Sequence, residues 1–130
     1  MPSERIILVA EDDPSLRYLA KRQLMSLGYE CEFANDGTEA VRMSMAKRYD
    51  IILMDVQMPV MDGLEATELI RKNETSLGIS TYTPIIAITA NPDKEKCFAA
   101  GMNDFLFKPV EIGRLKTVIE RWMPVYIDEI

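Results

Sequence analysis

The sequence predicts an α/β fold: a doubly wound, five-stranded parallel sheet with five helices and the strand order 2-1-3-4-5. Five short apolar runs alternate with stretches in which apolar residues recur at helical spacing. Such alternation is typical of a parallel sheet with helices on both faces. The 130 residues, 48% of them hydrophobic, fit one globular unit, so we expect a single domain over residues 1–130.

The apolar runs give the predicted strands, which cover residues 6–10, 31–34, 51–54, 85–88 and 105–107. The first, third and fourth runs are continuously apolar, as expected for strands that are buried on both faces. The second run alternates apolar and polar residues, and the fifth is short. We therefore place the second and fifth strands at the two edges of the sheet.

Helix boundaries follow from capping residues. Asp13 and Asn91 each precede a proline, which predicts an N-cap followed by a proline in the first turn, with the fourth helix over residues 92–100. Gly28 and Gly101 stand where helices are expected to end. One polar segment, residues 73–83, interrupts the alternation of predicted strands and helices and is predicted to be a loop or a frayed helix end.

The composition excludes several classes of function. The formal net charge is −6 and the basic residues are scattered, so direct binding of nucleic acid is not expected. No apolar run approaches the roughly 20 residues that a membrane span needs. Histidine is absent, which excludes histidine metal ligands and Ser-His-Asp catalysis. Cys31 and Cys97 lack metal-ligand spacing, which favours free thiols in a reducing, cytoplasmic compartment.

Polar side chains follow four of the predicted strands. An acidic run at residues 11–13 follows the first strand, and Asp55, Thr89 and Lys108 follow the third, fourth and fifth. The carboxyl ends of parallel strands lie at one edge of the sheet, where doubly wound folds bind ligands. We therefore expect these groups to converge on one small site.

The chemistry of this set is coherent. Clustered carboxylates repel one another, and oxygen ligands with room for water favour Mg²⁺. An aspartate can act as a nucleophile that forms an acyl phosphate. A hydroxyl and an ammonium group can then hold phosphoryl oxygens, and phosphoryl transfer needs mainly such positioning and charge neutralisation.

Four segments of the chain resemble the receiver domain of two-component response regulators. They are residues 6–13 (IILVAEDD), 53–63 (LMDVQMPVMDG), 85–90 (IIAITA) and 105–109 (FLFKP). The resemblance covers about residues 5–122, which we take as the core of the domain. The sequence around residues 57–59 and 101–104 looks most like that of receivers attached to hybrid sensor histidine kinases. The chain would then be a single-domain regulator or a fragment of such a kinase.

The resemblance implies a phosphoacceptor and a magnesium site. Asp55 would accept a phosphoryl group from the histidine of a histidine kinase or of a histidine phosphotransfer protein. Glu11, Asp12, Asp55 and the backbone carbonyl of Gln57 would bind Mg²⁺. The domain would be a signalling phosphoacceptor that assists its own phosphorylation and dephosphorylation, rather than an enzyme with a separate substrate.

The resemblance also implies a conformational switch. Thr89 would hydrogen-bond a phosphoryl oxygen and shift on activation, and Lys108 would pair with the phosphoryl group. Phe105 would rotate inward as Thr89 moves. The peptide bond before Pro109 would be cis, a state that proline reaches far more readily than other residues.

Other interpretations of these residues remain open at the level of sequence. Acidic residues after strands are often only helix caps, and Asp13 is the member of its run that best fits that role. Thr89 alone is more often a strand-end hydroxyl, and Lys108 alone a solvated charge.

Two other functions share parts of this pattern. A phosphatase with an aspartate nucleophile would carry a second Asp two residues after it, where this chain has Gln57. A flavin- or nucleotide-binding domain would need a phosphate-binding loop after the first strand, where the acidic run would repel phosphate.

Overall fold

A computed structural model describes residues 5–91 and 93–124. The strands are β1 (Ile6–Ala10), β2 (Glu30–Ala34), β3 (Ile51–Asp55), β4 (Ile85–Thr89) and β5 (Asp104–Phe107). The helices are α1 (Pro14–Ser26), α2 (Gly37–Ala46), α3 (Gly63–Ser76), α4 (Lys94–Ala100) and α5 (Ile112–Trp122). None of the helices in this part of the chain is long and apolar enough to cross a membrane.

The sheet confirms the predicted topology. All strand pairs are parallel and the order is β2-β1-β3-β4-β5, so the two predicted edge strands are the edges. The register pairs Asp55 of β3 with Ile88 of β4, and Thr89 of β4 with Phe107 of β5. Asp55 and Thr89 are the last residues of their strands, so the chain turns out of the sheet immediately after each of them.

The core is divided by the sheet into two layers because neighbouring residues of a strand point to opposite faces. One layer packs residues such as Leu8 and Ile52 against α2 and α3, and the other packs residues such as Ile7 against α1 and α5. Both strand residues and helix residues of these layers are almost fully buried. Burial on both faces is the physical reason that the central strands are continuously apolar.

Most predicted helix boundaries are confirmed. Asp13 caps α1, and its carboxylate accepts a hydrogen bond from Ser15 N at 2.8 Å. Gly28 and Gly101 have φ of 90° and 109° just beyond α1 and α4, a conformation that glycine adopts without steric cost.

The predicted start of α4 is wrong. Asp93, and not Asn91, caps this helix, because its carboxylate accepts a hydrogen bond from Lys96 N at 3.1 Å. The Asn91 N–H donates instead to the hydroxyl of Thr89 at 3.2 Å and so belongs to the preceding loop. The predicted first-turn proline, Pro92, lies outside the described residues.

The segment predicted as a loop or a frayed helix end, residues 73–83, contains the end of α3, which extends to Ser76. Glu74 is only 6% exposed, and its two carboxylate oxygens accept hydrogen bonds from Arg71 at 2.7 Å and from Thr83 N at 2.8 Å. These bonds satisfy the buried charge of Glu74, a residue that stands in a polar segment of the sequence. The remainder is a loop in which Gly78 has φ of 70°.

Candidate functional site

Asp55 is buried at the carboxyl end of β3, with 3% of its surface exposed. One of its carboxylate oxygens, Oδ1, accepts a hydrogen bond from Gln57 N at 3.1 Å. The start of α3 closes over it: Gly63 N donates to Val56 O at 2.9 Å. A Cβ at position 63 would lie 2.2 Å from the backbone oxygen of Asp55, so only glycine lets the helix approach this closely.

The acidic run after β1 divides into two side chains that adjoin Asp55 and one helix cap. Glu11 is buried and Asp12 is exposed, while Asp13 is occupied by the first turn of α1. Glu11 N donates to Ala34 O at 3.0 Å, which fixes this loop against the end of β2. Glu11, Asp12 and Asp55 each offer a carboxylate oxygen, and these oxygens lie within 4.8 Å of one another. The structure therefore brings together the three predicted carboxylates.

Lys108 reaches the same cluster from the end of β5. Its Nζ lies 2.8 Å from Asp55 Oδ2 and 3.3 Å from Glu11 Oε1. Its backbone N–H donates to Thr89 O at 2.9 Å, and the peptide bond between Lys108 and Pro109 is cis. Partial burial alone lowers the pKa of Lys108, but the hydrogen bond to Asp55 and the charges of Asp55 and Glu11 raise it above its usual value. Lys108 is therefore a cation at neutral pH.

Glu11 has the most perturbed carboxyl group of the site. Its pKa is raised from 4.5 to about 7, chiefly because the group is buried, while the Asp13 N–H acts in the lowering direction. The charge of Asp55 and a hydrogen bond with it contribute to this rise, whereas the ammonium of Lys108 opposes it. The ionised cluster is thus under electrostatic repulsion that one ammonium group does not remove, and a divalent cation would relieve it.

Thr89 and Phe105 lie beside the acidic cluster, outside its direct contacts. Thr89 is 5% exposed, and its hydroxyl accepts the hydrogen bond from Asn91 N. Within the described chain it makes no hydrogen bond to Asp55. The ring of Phe105 is half-buried and packs edge-to-face on Phe98 and Phe107, at centroid distances of 6.3 and 5.4 Å.

Two basic residues near the site were missed by sequence reasoning about function. Arg17 Nη1 donates to the backbone carbonyls of Glu11 and Asp12, at 2.9 and 3.0 Å. Lys94 Nζ lies 4.7 Å from the ring centroid of Phe105. The available signal for Arg17 was its place in the first turns of the helix that follows the acidic run. Lys94 gave no such signal because its contact joins two distant segments.

The donor set fits a small, hard divalent cation. It consists of carboxylate oxygens and lies at the edge of the sheet, with one member exposed to water. Mg²⁺ prefers oxygen ligands and keeps several waters, whereas soft metals prefer sulfur or imidazole. The carbonyl of Gln57 follows Asp55 closely enough in the chain to be a candidate fourth ligand, and this assignment stays a prediction.

The protein-family model that describes the response regulator receiver domain matches residues 7–120 of this chain. The chain belongs to the response regulator receiver family. Curated relatives of this receiver domain include the hybrid signal transduction histidine kinase G of Dictyostelium discoideum, 42% identical over 127 residues, and the sensor protein EvgS of Escherichia coli, 42% identical over 120 residues. The matches cover 94% and 90% of this chain but 4% and 10% of those relatives. The predicted similarity to receivers of hybrid kinases is confirmed.

Solved structures agree with the fold. The receiver domain of a Pseudomonas aeruginosa sensor histidine kinase has 42% identity and a TM-score of 0.82, covering 92% of this chain and 98% of that one. That structure has a magnesium ion coordinated in its active-site cleft. A receiver domain from Saccharomyces cerevisiae, crystallised with a histidine phosphotransfer signalling protein, has 30% identity and a TM-score of 0.87 over 92% of this chain and 89% of that one.

Proposed function

We propose that this receiver domain takes a phosphoryl group from a phosphohistidine onto the side chain of Asp55. One observation carries the proposal: the ammonium of Lys108 lies 2.8 Å from a buried Asp55 carboxylate that two further acidic residues adjoin. A carboxylate that served only the fold would have no need of such neighbours, because each added negative charge destabilises the cluster.

In the transfer step, a carboxylate oxygen of Asp55 attacks the phosphorus of the phosphohistidine. The phosphorus–nitrogen bond breaks, its electron pair stays on the imidazole, and the imidazole leaves and takes up a proton. Lys108 holds a phosphoryl oxygen by charge, and the hydroxyl of Thr89 donates a hydrogen bond to another. These are the positioning and electrostatic roles on which phosphoryl transfer mainly depends.

Glu11, Asp12, Asp55 and the backbone carbonyl of Gln57 would hold Mg²⁺. When bound, the ion supplies positive charge that neutralises phosphoryl oxygens. The exposed carboxylate of Asp12 and the buried one of Glu11 both adjoin that of Asp55 and come from the loop after β1. In the proposed function these two residues serve the metal ion, and Lys108 and Thr89 serve the phosphoryl group.

Phosphorylation would add about −1.5 to −2 charges beside Thr89 and Lys108. Thr89 would exchange its contact with the Asn91 N–H for one with the phosphoryl group, and Phe105 would rotate inward as Thr89 moves. In its present orientation the half-buried ring of Phe105 packs edge-to-face on Phe98 and Phe107, so the two orientations would compete. The output is a changed affinity of the α4 and β5 surface for a partner.

The proposed donors are a histidine kinase or a histidine phosphotransfer protein. Support comes from the kinases in which the related sequences occur and from the co-crystallised yeast receiver. We propose that residues 1–130 form one receiver unit, which acts either alone or as part of a hybrid sensor kinase. A cytoplasmic location and the absence of direct nucleic-acid binding, favoured by the net charge of −6, stay predictions.

The test is phosphotransfer from a panel of labelled histidine kinases and phosphotransfer proteins, comparing the wild type with Asp55→Asn. The matched control is Asp62→Asn, because Asp62 is an exposed acid in the loop that follows Asp55. It caps α3 by accepting a hydrogen bond from Glu65 N at 2.9 Å. Asparagine caps helices as well as aspartate, so the control keeps its fold.

We expect Mg²⁺-dependent labelling of the wild type and of Asp62→Asn, and no labelling of Asp55→Asn. Labelling of Asp55→Asn to the wild-type level would show that the phosphoacceptor is another residue. An Asp55→Asn protein that unfolds would be recognised by its circular dichroism, and Asp55→Glu would then replace it, because a longer side chain keeps the charge but displaces the oxygen.

A further inference from the structure

Arg17 makes an unusual contact with the loop that carries the acidic residues. It lies in the first turns of α1, half-buried, and its Nη1 atom donates to Glu11 O at 2.9 Å and to Asp12 O at 3.0 Å. A guanidinium nitrogen of this type carries two hydrogens, so each carbonyl receives one of them. Hydrogen bonds from a charged donor are stronger than those between neutral groups.

These two carbonyls belong to the peptide units on either side of the Cα atom of Asp12. Holding both units to one nitrogen restricts both backbone dihedrals of Asp12, and so sets the direction of its side chain. No described residue donates a hydrogen bond to the Asp12 carboxylate itself. Glu11 differs, because its carboxylate accepts from Asp13 N at 3.2 Å and contacts Lys108. Asp12 is therefore oriented through its backbone, and Arg17 is the side chain that fixes it.

We propose that Arg17 is a positioning residue of the magnesium site, which it serves by holding the loop of Glu11 and Asp12 in its metal-binding conformation. The proposal rests on the proposed function, since it concerns the same metal site. Arg17 contacts backbone oxygens, so it acts through the carboxylates and not on the ion. Residues that orient metal ligands in this way typically change metal affinity about 10- to 100-fold when they are removed.

The direction in which Mg²⁺ affinity changes distinguishes a positioning role of Arg17 from an effect of its charge. The guanidinium is positive, and its charge opposes the arrival of a cation at the neighbouring carboxylates. If its charge were the main effect, a neutral residue at position 17 would strengthen Mg²⁺ binding. If its hydrogen bonds are the main effect, the same replacement weakens binding because the loop loses its fixed conformation.

The experiment is calorimetric titration of Mg²⁺ into four purified proteins: the wild type, Arg17→Met, Arg17→Lys and Arg22→Met. Methionine keeps much of the aliphatic volume and removes both the charge and the donors, whereas lysine keeps the charge and a donor group. Arg22 is the matched control, because it lies in the same helix, is exposed, and among the described residues hydrogen-bonds to Tyr18 alone, at 3.5 Å from its hydroxyl. Thermal unfolding in EDTA is recorded for each protein.

We expect Mg²⁺ binding about tenfold weaker in Arg17→Met, recovered in large part by Arg17→Lys, and unchanged within twofold in Arg22→Met. Unchanged or tighter binding in Arg17→Met would overturn the proposal. A lower melting temperature with unchanged Mg²⁺ affinity would also overturn it, because Arg17 would then serve only the fold.

If Arg17→Met does not fold, Arg17→Gln decides the matter. Its short amide cannot replace both hydrogen bonds and carries no charge, so positioning predicts weaker binding than in the wild type and charge predicts tighter binding. A wild type that binds no Mg²⁺ would refute the proposed metal site itself. A wild type that binds Mg²⁺ as tightly as both neutral variants do would refute only the role of Arg17.

Discussion

Two clusters of charged side chains lie at opposite ends of the strands, one at the amino edge of the sheet and one at its carboxyl edge. They differ in how their charges are compensated. At the amino edge, Arg71 pairs with Glu74 at 2.7 Å and donates to the carbonyls of Thr83 and Gly101 at 2.8 and 2.9 Å. It also donates to the side chain of Asn103 at 2.7 Å. At the carboxyl edge three carboxylates adjoin one another, and the ammonium of Lys108 pairs directly with two of them, Asp55 and Glu11.

The difference separates a network that serves the fold from the cluster that we propose as the functional site. In the amino-edge network every charge has its partner, and removing one member leaves another buried and unpaired. In the carboxyl-edge cluster the carboxylates outnumber the ammonium group, and burial together with the charge of Asp55 raises the pKa of Glu11 to about 7. The first arrangement stabilises the fold, and the second leaves a repulsion between carboxylates that a divalent cation can relieve.

The largest expected effect comes from breaking the amino-edge network with Arg71→Met. Glu74 would remain buried without its cationic partner, and we expect the free energy of unfolding to fall by about 3–5 kcal/mol. Chemical denaturation measures this change. The control is Lys72→Met, an exposed neighbour in the same helix, for which a change within about 0.5 kcal/mol is expected. Equal changes in the two variants would mean that the network adds no stability.

Gly63→Ala tests the tight packing beneath the carboxyl-edge cluster. The new Cβ would meet the backbone oxygen of Asp55 at 2.2 Å, so β3 or α3 must move. We expect a loss of about 3 kcal/mol in the free energy of unfolding and weaker Mg²⁺ binding, since Asp55 is displaced. Gly113→Ala in α5 is the control, because its Cβ would meet only Glu111 Oε1, at 3.6 Å. A Gly63→Ala protein as stable as the control would contradict this packing.

Glu11→Gln should change stability in the opposite direction from Arg71→Met. Because folding raises the pKa of Glu11 from 4.5 to about 7, the wild type loses stability as pH rises through that window. In EDTA at pH 8 we expect the glutamine variant to unfold with a free energy roughly 2 kcal/mol higher than the wild type.

This gain from Glu11→Gln should shrink as pH falls from 7 towards 4.5, where the carboxyl group is protonated in both the folded and the unfolded state. Denaturation curves across this pH range measure it, with Glu120→Gln as an exposed control. A gain that persists unchanged at pH 4.5 would show that the ionisation of the buried Glu11 carboxyl group is not its source.

The smallest expected effect concerns the loop between β3 and α3. Val60 has φ of 69° and is 85% exposed, and the turn around it closes through a hydrogen bond from Met61 N to Pro59 O at 2.7 Å. A β-branched residue is strained in this conformation. Val60→Gly removes the strain but increases the entropy of the unfolded chain, so we expect a net gain of about 1 kcal/mol. A loss of stability in thermal unfolding would contradict the strain.

The sequence was sufficient for the architecture because its signals are local. Continuous apolar runs marked the central strands, and the residues directly after four strands marked the site. Whether residues 73–83 begin as helix or as loop stayed open, and the burial of Glu74 was missed because its partner Thr83 lies beyond the helix end. The contact of Arg17 with the acidic loop and that of Lys94 with Phe105 were missed for the same reason. Such contacts depend on how elements pack, which hydrophobic periodicity does not specify.

The most direct test of the account is to locate the phosphoryl group chemically. The protein is phosphorylated by its donor with Mg²⁺ or with EDTA, and borohydride then reduces the acyl phosphate to the alcohol, so that the modified residue becomes homoserine. Peptide mass spectrometry identifies the position. We predict homoserine at position 55 in the Mg²⁺ sample and none with EDTA. Homoserine at position 12 or 62, or equal amounts at position 55 with and without Mg²⁺, would contradict the account.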